Sequence, residues 1–276
     1  MQDPTTTAVS SADGTAITFD RYGDGPALVL VGGAFQYRAS DPPTVELAKL
    51  LASDFSVFHY DRRGRGDSSD TPPYAIEREI EDLSAVIDGA GGSAAVLGNS
   101  SGALLALDAA AAGTRIEKIA LYEAPVIVDD SRPPVPADYL ERLTQLLAAN
   151  QRREMVELFM TTVIGLPAEM VGGILQSPMA PGFEAVAHTL IYDGLIMAGT
   201  QDGKPLAGDR WSRVSTPTLV IDGSASDTWV HTGADELARL LSNAQRRSLE
   251  GQTHAVAAAV LAPAVREFLA TPVANG

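Results

Sequence analysis

Residues 98–102 read Gly-Asn-Ser-Ser-Gly, after the apolar run AAVL (94–97) and before the alanine- and leucine-rich ALLALDAAAAG (103–113). A serine hydroxyl is a weak nucleophile until a base takes its proton and a scaffold fixes its direction. A cramped turn from strand to helix supplies the direction, and it requires small residues two positions before and two positions after the nucleophile. Ser100 meets that condition through Gly98 and Gly102, whereas Ser101 has Asn99 and Ala103 at the same places. Ser100 is therefore the candidate nucleophile. Ser101 would open the helix, where a backbone N–H points outward and the helix dipole favours negative charge, so its amide is one half of a candidate oxyanion hole.

Taking the proton from Ser100 requires a histidine, and the chain has four. His59 lies inside an apolar run and reads as a packed core residue. His188 and His231 fall in helical surroundings and read as polar surface residues. His254 falls in the loop between the last predicted strand and the last predicted helix, above the strand ends, and is the candidate base. In that role it accepts the proton of Ser100 and later returns it to a leaving group. A carboxylate must hold the imidazole in the right tautomer, and two can reach it from neighbouring strands. Glu123, in ALYEAP, sits at the end of the strand that follows the serine. Asp227, in IDGSASDTW, follows the next strand, four residues beyond Gly223. Asp222 points from inside that strand and ranks third.

The elements that must position these groups show in the hydrophobic pattern. TAITFDRYG (15–23) alternates like an early strand, and ALVLVGG (27–33) is a continuous apolar run, as expected for a strand buried on both faces. FSVFHYD (55–61), AAVLGNS (94–100), KIALYEA (118–124), TPTLVIDG (216–223) and AQRRSLEG (244–251) read as further strands. Between them PTVELAKLLA (43–52) forms an amphipathic helix, and Ile76, Ile80, Leu83 and Ile87 make one buried stripe on another. A helix follows GNSSG, and two more are expected at about 232–242 and 255–270. This alternation predicts an α/β fold: a mostly parallel, twisted central sheet with helices on both faces.

The stretch 129–207 breaks the rhythm. It opens with DDSRPPVP and continues with helical patterns such as YLERLTQLLAAN and REMVELFMTTVIG. We read it as a helical cap inserted into a core formed by residues 1–128 and 208–276. Met155, Phe159, Met160, Met170, Phe183, Tyr192 and Met197 fall in the cap; most serve its own packing, and a few are expected to line an apolar pocket. In the glycine-rich DRRGRGDSS (61–69), Gly64 and Gly66 allow a sharp bend and Asp67 can cap the next turn. That structural reading is preferred to substrate binding by Arg62, Arg63 or Arg65.

Composition narrows the function classes. A net charge of −15 repels phosphate backbones and anionic lipid, so neither nucleic acid nor a membrane is an expected partner. No apolar run approaches the ~20 residues of a membrane span, and the polar MQDPTTTAVSSADG lacks the pattern of a secretory signal. With zero cysteines there are no disulfides, thiolate metal sites or cysteine nucleophiles, which fits a cytoplasmic protein. No metal constellation or phosphate-cradling loop appears, so no cofactor is expected.

The elbow, VGG (31–33), DRRGRGDSS (61–69) and GQTH (251–254) together resemble an α/β-hydrolase-fold protein with a cap, over nearly the whole chain. The chain departs from that pattern at Gly32, where the family commonly has histidine. The resemblance implies that the Ala34 amide is the second oxyanion donor, with Phe35 beside it shaping the pocket. It also implies that His254, following Ser100 in the chain, is the base. The family most often keeps its acid near Asp227, though with one residue less after the glycine; haloalkane-dehalogenase-like members keep it where Glu123 stands. Both carboxylates stay open, with Glu123 slightly ahead. Haloalkane dehalogenases and epoxide hydrolases attack sp³ carbon with a carboxylate, and Ser100 at that position excludes both. Serine suits attack on a carbonyl. The expected function is a serine hydrolase of small, mostly apolar esters or lactones, acting through an acyl-enzyme, with Phe35, Phe159 and Tyr192 in the pocket. The expected assembly is a monomer or homodimer. The alternatives are lyase, cyclase, transfer or C–C chemistry with the same residues, and a non-catalytic small-molecule receptor.

Overall fold

The computed structural model describes residues 3–271. Eight strands form one sheet in the order β1-β2-β4-β3-β5-β6-β7-β8. They are β1 (Thr5–Ser10), β2 (Ala16–Tyr22), β3 (Ala27–Val31), β4 (Ser56–Tyr60), β5 (Ala94–Asn99), β6 (Ile116–Tyr122), β7 (Thr218–Gly223) and β8 (Ala244–Leu249). From β4 to β8 every pairing is parallel; β2 pairs antiparallel with both β1 and β4, so it alone runs against the other strands. The central strands β3, β4, β5 and β7 are buried almost throughout, which explains their unbroken apolar runs: helices cover both faces.

On one face lie α1 (Pro42–Leu51) and α10 (Ala258–Ala270), packing Leu47, Leu51, Leu261 and Val265 against the sheet. On the other lie α2 (Ile76–Gly89), α3 (Ser101–Ala111) and α9 (Thr228–Leu240). α3 is buried over nearly its whole length, from Ser101 through Leu107, which its alanine-rich sequence permits because small side chains let the sheet approach closely. Between β6 and β7 the chain inserts α4 (Tyr139–Ala148), α5 (Arg152–Leu158), a π-helical turn (Phe159–Ile164), α6 (Ala168–Leu175), α7 (Ala180–Ala185) and α8 (Leu190–Met197), with no strand. Among the described residues no helix is long and apolar enough to cross a membrane.

Two elements differ from the sequence expectation. β1 lies in a stretch with no apolar alternation, because it is an exposed edge strand; its β-branched Thr5, Thr6, Thr7 and Val9 were the available signal. α9 begins at Thr228, a turn earlier than expected, because Asp227 is extended and Thr228 already helical.

The turn from β5 into α3 leaves no room for side chains. A Cβ on Gly98 would lie 2.6 Å from the Ala103 Cα, and one on Gly102 would lie 2.7 Å from the Gly32 carbonyl oxygen. Gly102→Ala is therefore expected to cost about 1–3 kcal/mol through overpacking against backbone that cannot swing away. Denaturant unfolding of the variant checks this, and stability equal to wild type would show that the strand ends are not rigidly apposed.

Candidate active site

Ser100 occupies the residue between β5 and α3 with φ 54° and ψ −126°. Non-glycine residues seldom adopt positive φ, and where they do the surrounding fold enforces it. Among the described residues four do so, and three of them, Phe35, Ser100 and Glu123, follow the ends of β3, β5 and β6. The Ser100 amide donates to the Tyr122 carbonyl at 3.0 Å, and the Ala103 amide donates to the Ser100 carbonyl at 2.9 Å, so the turn is fixed on both sides.

Glu123 follows β6 directly and is buried. Its Oε2 accepts from His254 Nδ1 at 2.9 Å. Its Oε1 accepts from the Gly223 amide at 2.9 Å and from Ser226 Oγ at 2.6 Å. Donation from Nδ1 leaves Nε2 of the exposed imidazole as the ring atom free to accept a proton. The loop carrying His254 is held by its neighbours. Tyr122 Oη donates to the Thr253 carbonyl at 2.6 Å, the Ala225 amide to the Gln252 carbonyl at 2.9 Å, and the Gly251 amide to Ser224 Oγ at 2.8 Å. A Cβ on Gly223 would lie 2.6 Å from the Thr253 nitrogen, so a glycine is needed for β7 to approach this loop. Burial pushes the Glu123 carboxyl up, but the bonds from His254, Ser226 and Gly223 outweigh it and hold it below the ordinary glutamate value.

The other carboxylates are engaged elsewhere. Asp227 is exposed at the start of α9, makes no bond to His254 among the described residues, and acts instead on Arg132. Asp222 is buried and pairs with His231 and with Arg246, the latter at 2.9 Å. His59 is buried within β4, and His188 lies beside Arg152 in the insertion.

The amides of Ala34 and Ser101 donate to no other group among the described residues; that of Ser101 belongs to the first helical turn, whose N–H groups have no intrahelical partner. The turn carrying Ala34 lies against the nucleophile: a Cβ on Gly33 would sit 2.8 Å from the Ser100 Cβ. Gln36 Oε1 ties this turn to the elbow by accepting from the Gly33 amide at 2.6 Å and from Asn99 Nδ2 at 2.9 Å. The Phe35 ring meets Phe159 edge-on at 5.2 Å and Phe183 at 4.9 Å. Tyr192 does not join them; it stacks on Tyr74 at 3.8 Å and donates to Asp70 at 2.7 Å. A cavity of about 190 Å³ opens beside His254, lined mainly by apolar side chains that include Leu47, Leu97, Val256 and Leu261.

Arg62, Arg63 and Arg65 are completely buried in ion pairs. Their partners Glu79, Asp82 and Asp193 escaped the sequence reading. Asp193 had a signal, as the one charged residue in the otherwise apolar α8, LIYDGLIM. Asp67 does not cap a turn through its side chain; it pairs with Arg38 at 2.6 Å.

Sheet order, elbow and histidine–carboxylate pair define the class of α/β hydrolases. The chain belongs to the alpha/beta hydrolase family, whose model matches residues 28–265. It is similar to an alpha/beta hydrolase from Sphaerobacter thermophilus, with 53% identity over 95% of this chain and 100% of that one and a TM-score of 0.87. It shares its fold with an esterase from a Rhodococcus species (20% identity, 96% and 98% of the two chains, TM-score 0.64) and with the enol-lactonase from Burkholderia xenovorans (21%, 96% and 100%, TM-score 0.66). No curated protein matches the chain.

Because Glu123 holds its proton more weakly when folded than when unfolded, its stabilising contribution is complete above the ordinary glutamate value of about 4.3 and is lost as the pH falls through the lower folded value. Unfolding of wild type and Glu123→Gln across acidic to neutral pH checks this. The stability gap should be constant above about pH 5 and narrow below about pH 4; a gap independent of pH would contradict it.

Proposed function

We propose that the chain is a serine hydrolase that cleaves small, mostly apolar esters or lactones through an acyl-enzyme on Ser100. The observation that carries this reading is the buried Glu123 carboxylate 2.9 Å from His254 Nδ1, on the same sheet edge as a serine held at positive φ. Ser100 Oγ bonds to the substrate carbonyl carbon as its proton passes to His254 Nε2. The carbonyl π electrons move onto oxygen, where the Ala34 and Ser101 amides stabilise the charge; a donor of this kind contributes about 10²–10³ in rate. Collapse of the intermediate breaks the bond to the leaving oxygen, which takes the proton from His254. A water then adds to the acyl carbon, giving its proton to His254, and collapse releases the carboxylic acid as the proton returns to Ser100. Glu123 keeps Nδ1 protonated and stabilises the imidazolium that forms in both halves.

The preference for small, apolar groups rests on the trio of Phe35, Phe159 and Phe183 beside the turn that carries the Ala34 amide.

A fluorophosphonate probe should label the wild type and not Ser100→Ala, and p-nitrophenyl esters of short acyl chains should be turned over. Glu123→Gln should lower kcat by about 10³–10⁴, while Asp227→Asn stays within about twofold of wild type. A protein that takes no probe is not a serine hydrolase. One that takes the probe and leaves every ester intact uses Ser100 for transfer or C–C chemistry instead.

A further inference from the structure

We propose that Arg65 is a positioning residue for the oxyanion: its guanidinium grips and polarises the Gly33–Ala34 peptide so that the Ala34 N–H faces the oxygen that gains charge. This rests on the reading of Ser100 as nucleophile and of the Ala34 amide as donor. Arg65 Nη1 donates to the Gly33 carbonyl at 2.5 Å. In a planar trans peptide the carbonyl and the following N–H point in opposite directions, so fixing one edge fixes the other. A charge-assisted bond to the carbonyl also draws electron density out of the peptide and makes its N–H a stronger donor.

The grip is itself held from the insertion. Arg65 Nη2 donates to Asp193 Oδ2 at 2.6 Å and its Nε to Thr189 Oγ1 at 3.1 Å. Arg62 repeats the arrangement one peptide earlier, donating to the Gly32 carbonyl at 3.3 Å and to Asp193 Oδ1 at 2.7 Å. Ser101, which carries the other proposed oxyanion amide, donates its hydroxyl to the same Asp193 oxygen at 2.7 Å. One buried carboxylate is thus tied to both amides, to Ser101 directly and to the Gly33–Ala34 peptide through Arg65. Burial pushes that carboxyl up, yet Arg65 and Arg62 hold it below the ordinary aspartate value, so it stays charged and the fork stays paired. A planar fork reaching three acceptors on two segments is what arginine provides and lysine does not.

Arg63 supplies the control. It is equally buried, with a two-pronged bond to Asp82 at 2.7 Å, but its partners lie away from the Gly33 turn. The full chain and its Arg65→Lys, Arg65→Gln, Thr189→Val and Arg63→Lys variants are compared in p-nitrophenyl butyrate turnover and by 19F NMR of the hemiketal that Ser100 forms with an alkyl trifluoromethyl ketone. Arg65→Lys should lower kcat about tenfold and Arg65→Gln about a hundredfold, with KM within about twofold. The hemiketal oxygen should lose its proton at higher pH in both, and less so in Thr189→Val, which keeps the guanidinium and serves if the charge variants do not fold. The acid limb of the kcat/KM profile should not move, because Glu123 and His254 are untouched. Arg63→Lys should lose thermal stability while keeping turnover and the hemiketal titration. Wild-type kcat and titration in Arg65→Lys would overturn the proposal, as would equal losses in Arg63→Lys. If the wild type forms no hemiketal and cleaves no ester, the serine-hydrolase reading fails and this one falls with it.

Discussion

The geometry of the site depends on backbone crowding where β3, β5 and β6 end. Gly33 leaves no space for a Cβ against Ser100, and Gly102 leaves none against the carbonyl of Gly32. Chains forced this close cannot turn with ordinary dihedrals, and Phe35, Ser100 and Glu123 all take positive φ where they leave the sheet. Each such residue costs on the order of 1–3 kcal/mol and persists only because the neighbours over-determine it. A buried apolar sheet with α3 packed along its length supplies that determination. The fold therefore keeps the functional groups in directions their local sequence would not choose.

Two buried charge systems then divide the work of orientation. Around Glu123, three donors from β7 and the two adjoining loops satisfy one carboxylate, which fixes the ring of His254. Around Asp193, two guanidiniums and a serine hydroxyl converge from the core onto one carboxylate from the insertion. Buried ion pairs are poor stabilisers, since desolvation offsets most of the Coulomb attraction, and apolar side chains of equal volume often serve stability as well. What apolar side chains lack is direction. The Arg62–Arg65–Asp193 cluster touches the carbonyls of Gly32 and Gly33 and the hydroxyl of Ser101, three groups beside the nucleophile, which is where direction has chemical value.

The parallel core was legible in the sequence because strands covered on both faces are apolar in near-continuous runs, as ALVLV in β3 and the LVI of β7 are. The elbow was legible because its glycines answer a steric demand local to five residues. The ion-pair partners were not, because Arg65 and Asp193 lie 128 residues apart and nothing in either segment states their proximity. DRRGRGDSS reads as a bend, and it is one, with Gly64 and Gly66 at positive φ; that its arginines turn inward depends on Glu79 and Asp82 on the buried side of α2 for Arg62 and Arg63, and on Asp193 for Arg65. Tyr192 looked like an apolar lining residue, but Tyr74 and Asp70 occupy its ring and hydroxyl. β1 lacks the alternation that marks a strand because, on the sheet edge, it meets the core through Val9 alone and is otherwise exposed.

The sequence left two carboxylates within reach of His254, and the hydrogen bonds on β7 explain why that strand contributes none. Its buried aspartate, Asp222, points to His231 and Arg246, and a carboxylate held by both an imidazole and a guanidinium would give up all of those bonds by swinging to another partner. Asp227 stands beyond β7 in an extended, exposed position where water and Arg132 meet its charge. What β7 and its following loop do provide is donors: the Gly223 amide and the Ser226 hydroxyl both point back at Glu123. The acid on β6 thus depends on β7 and its following loop for two of the three hydrogen bonds that hold it.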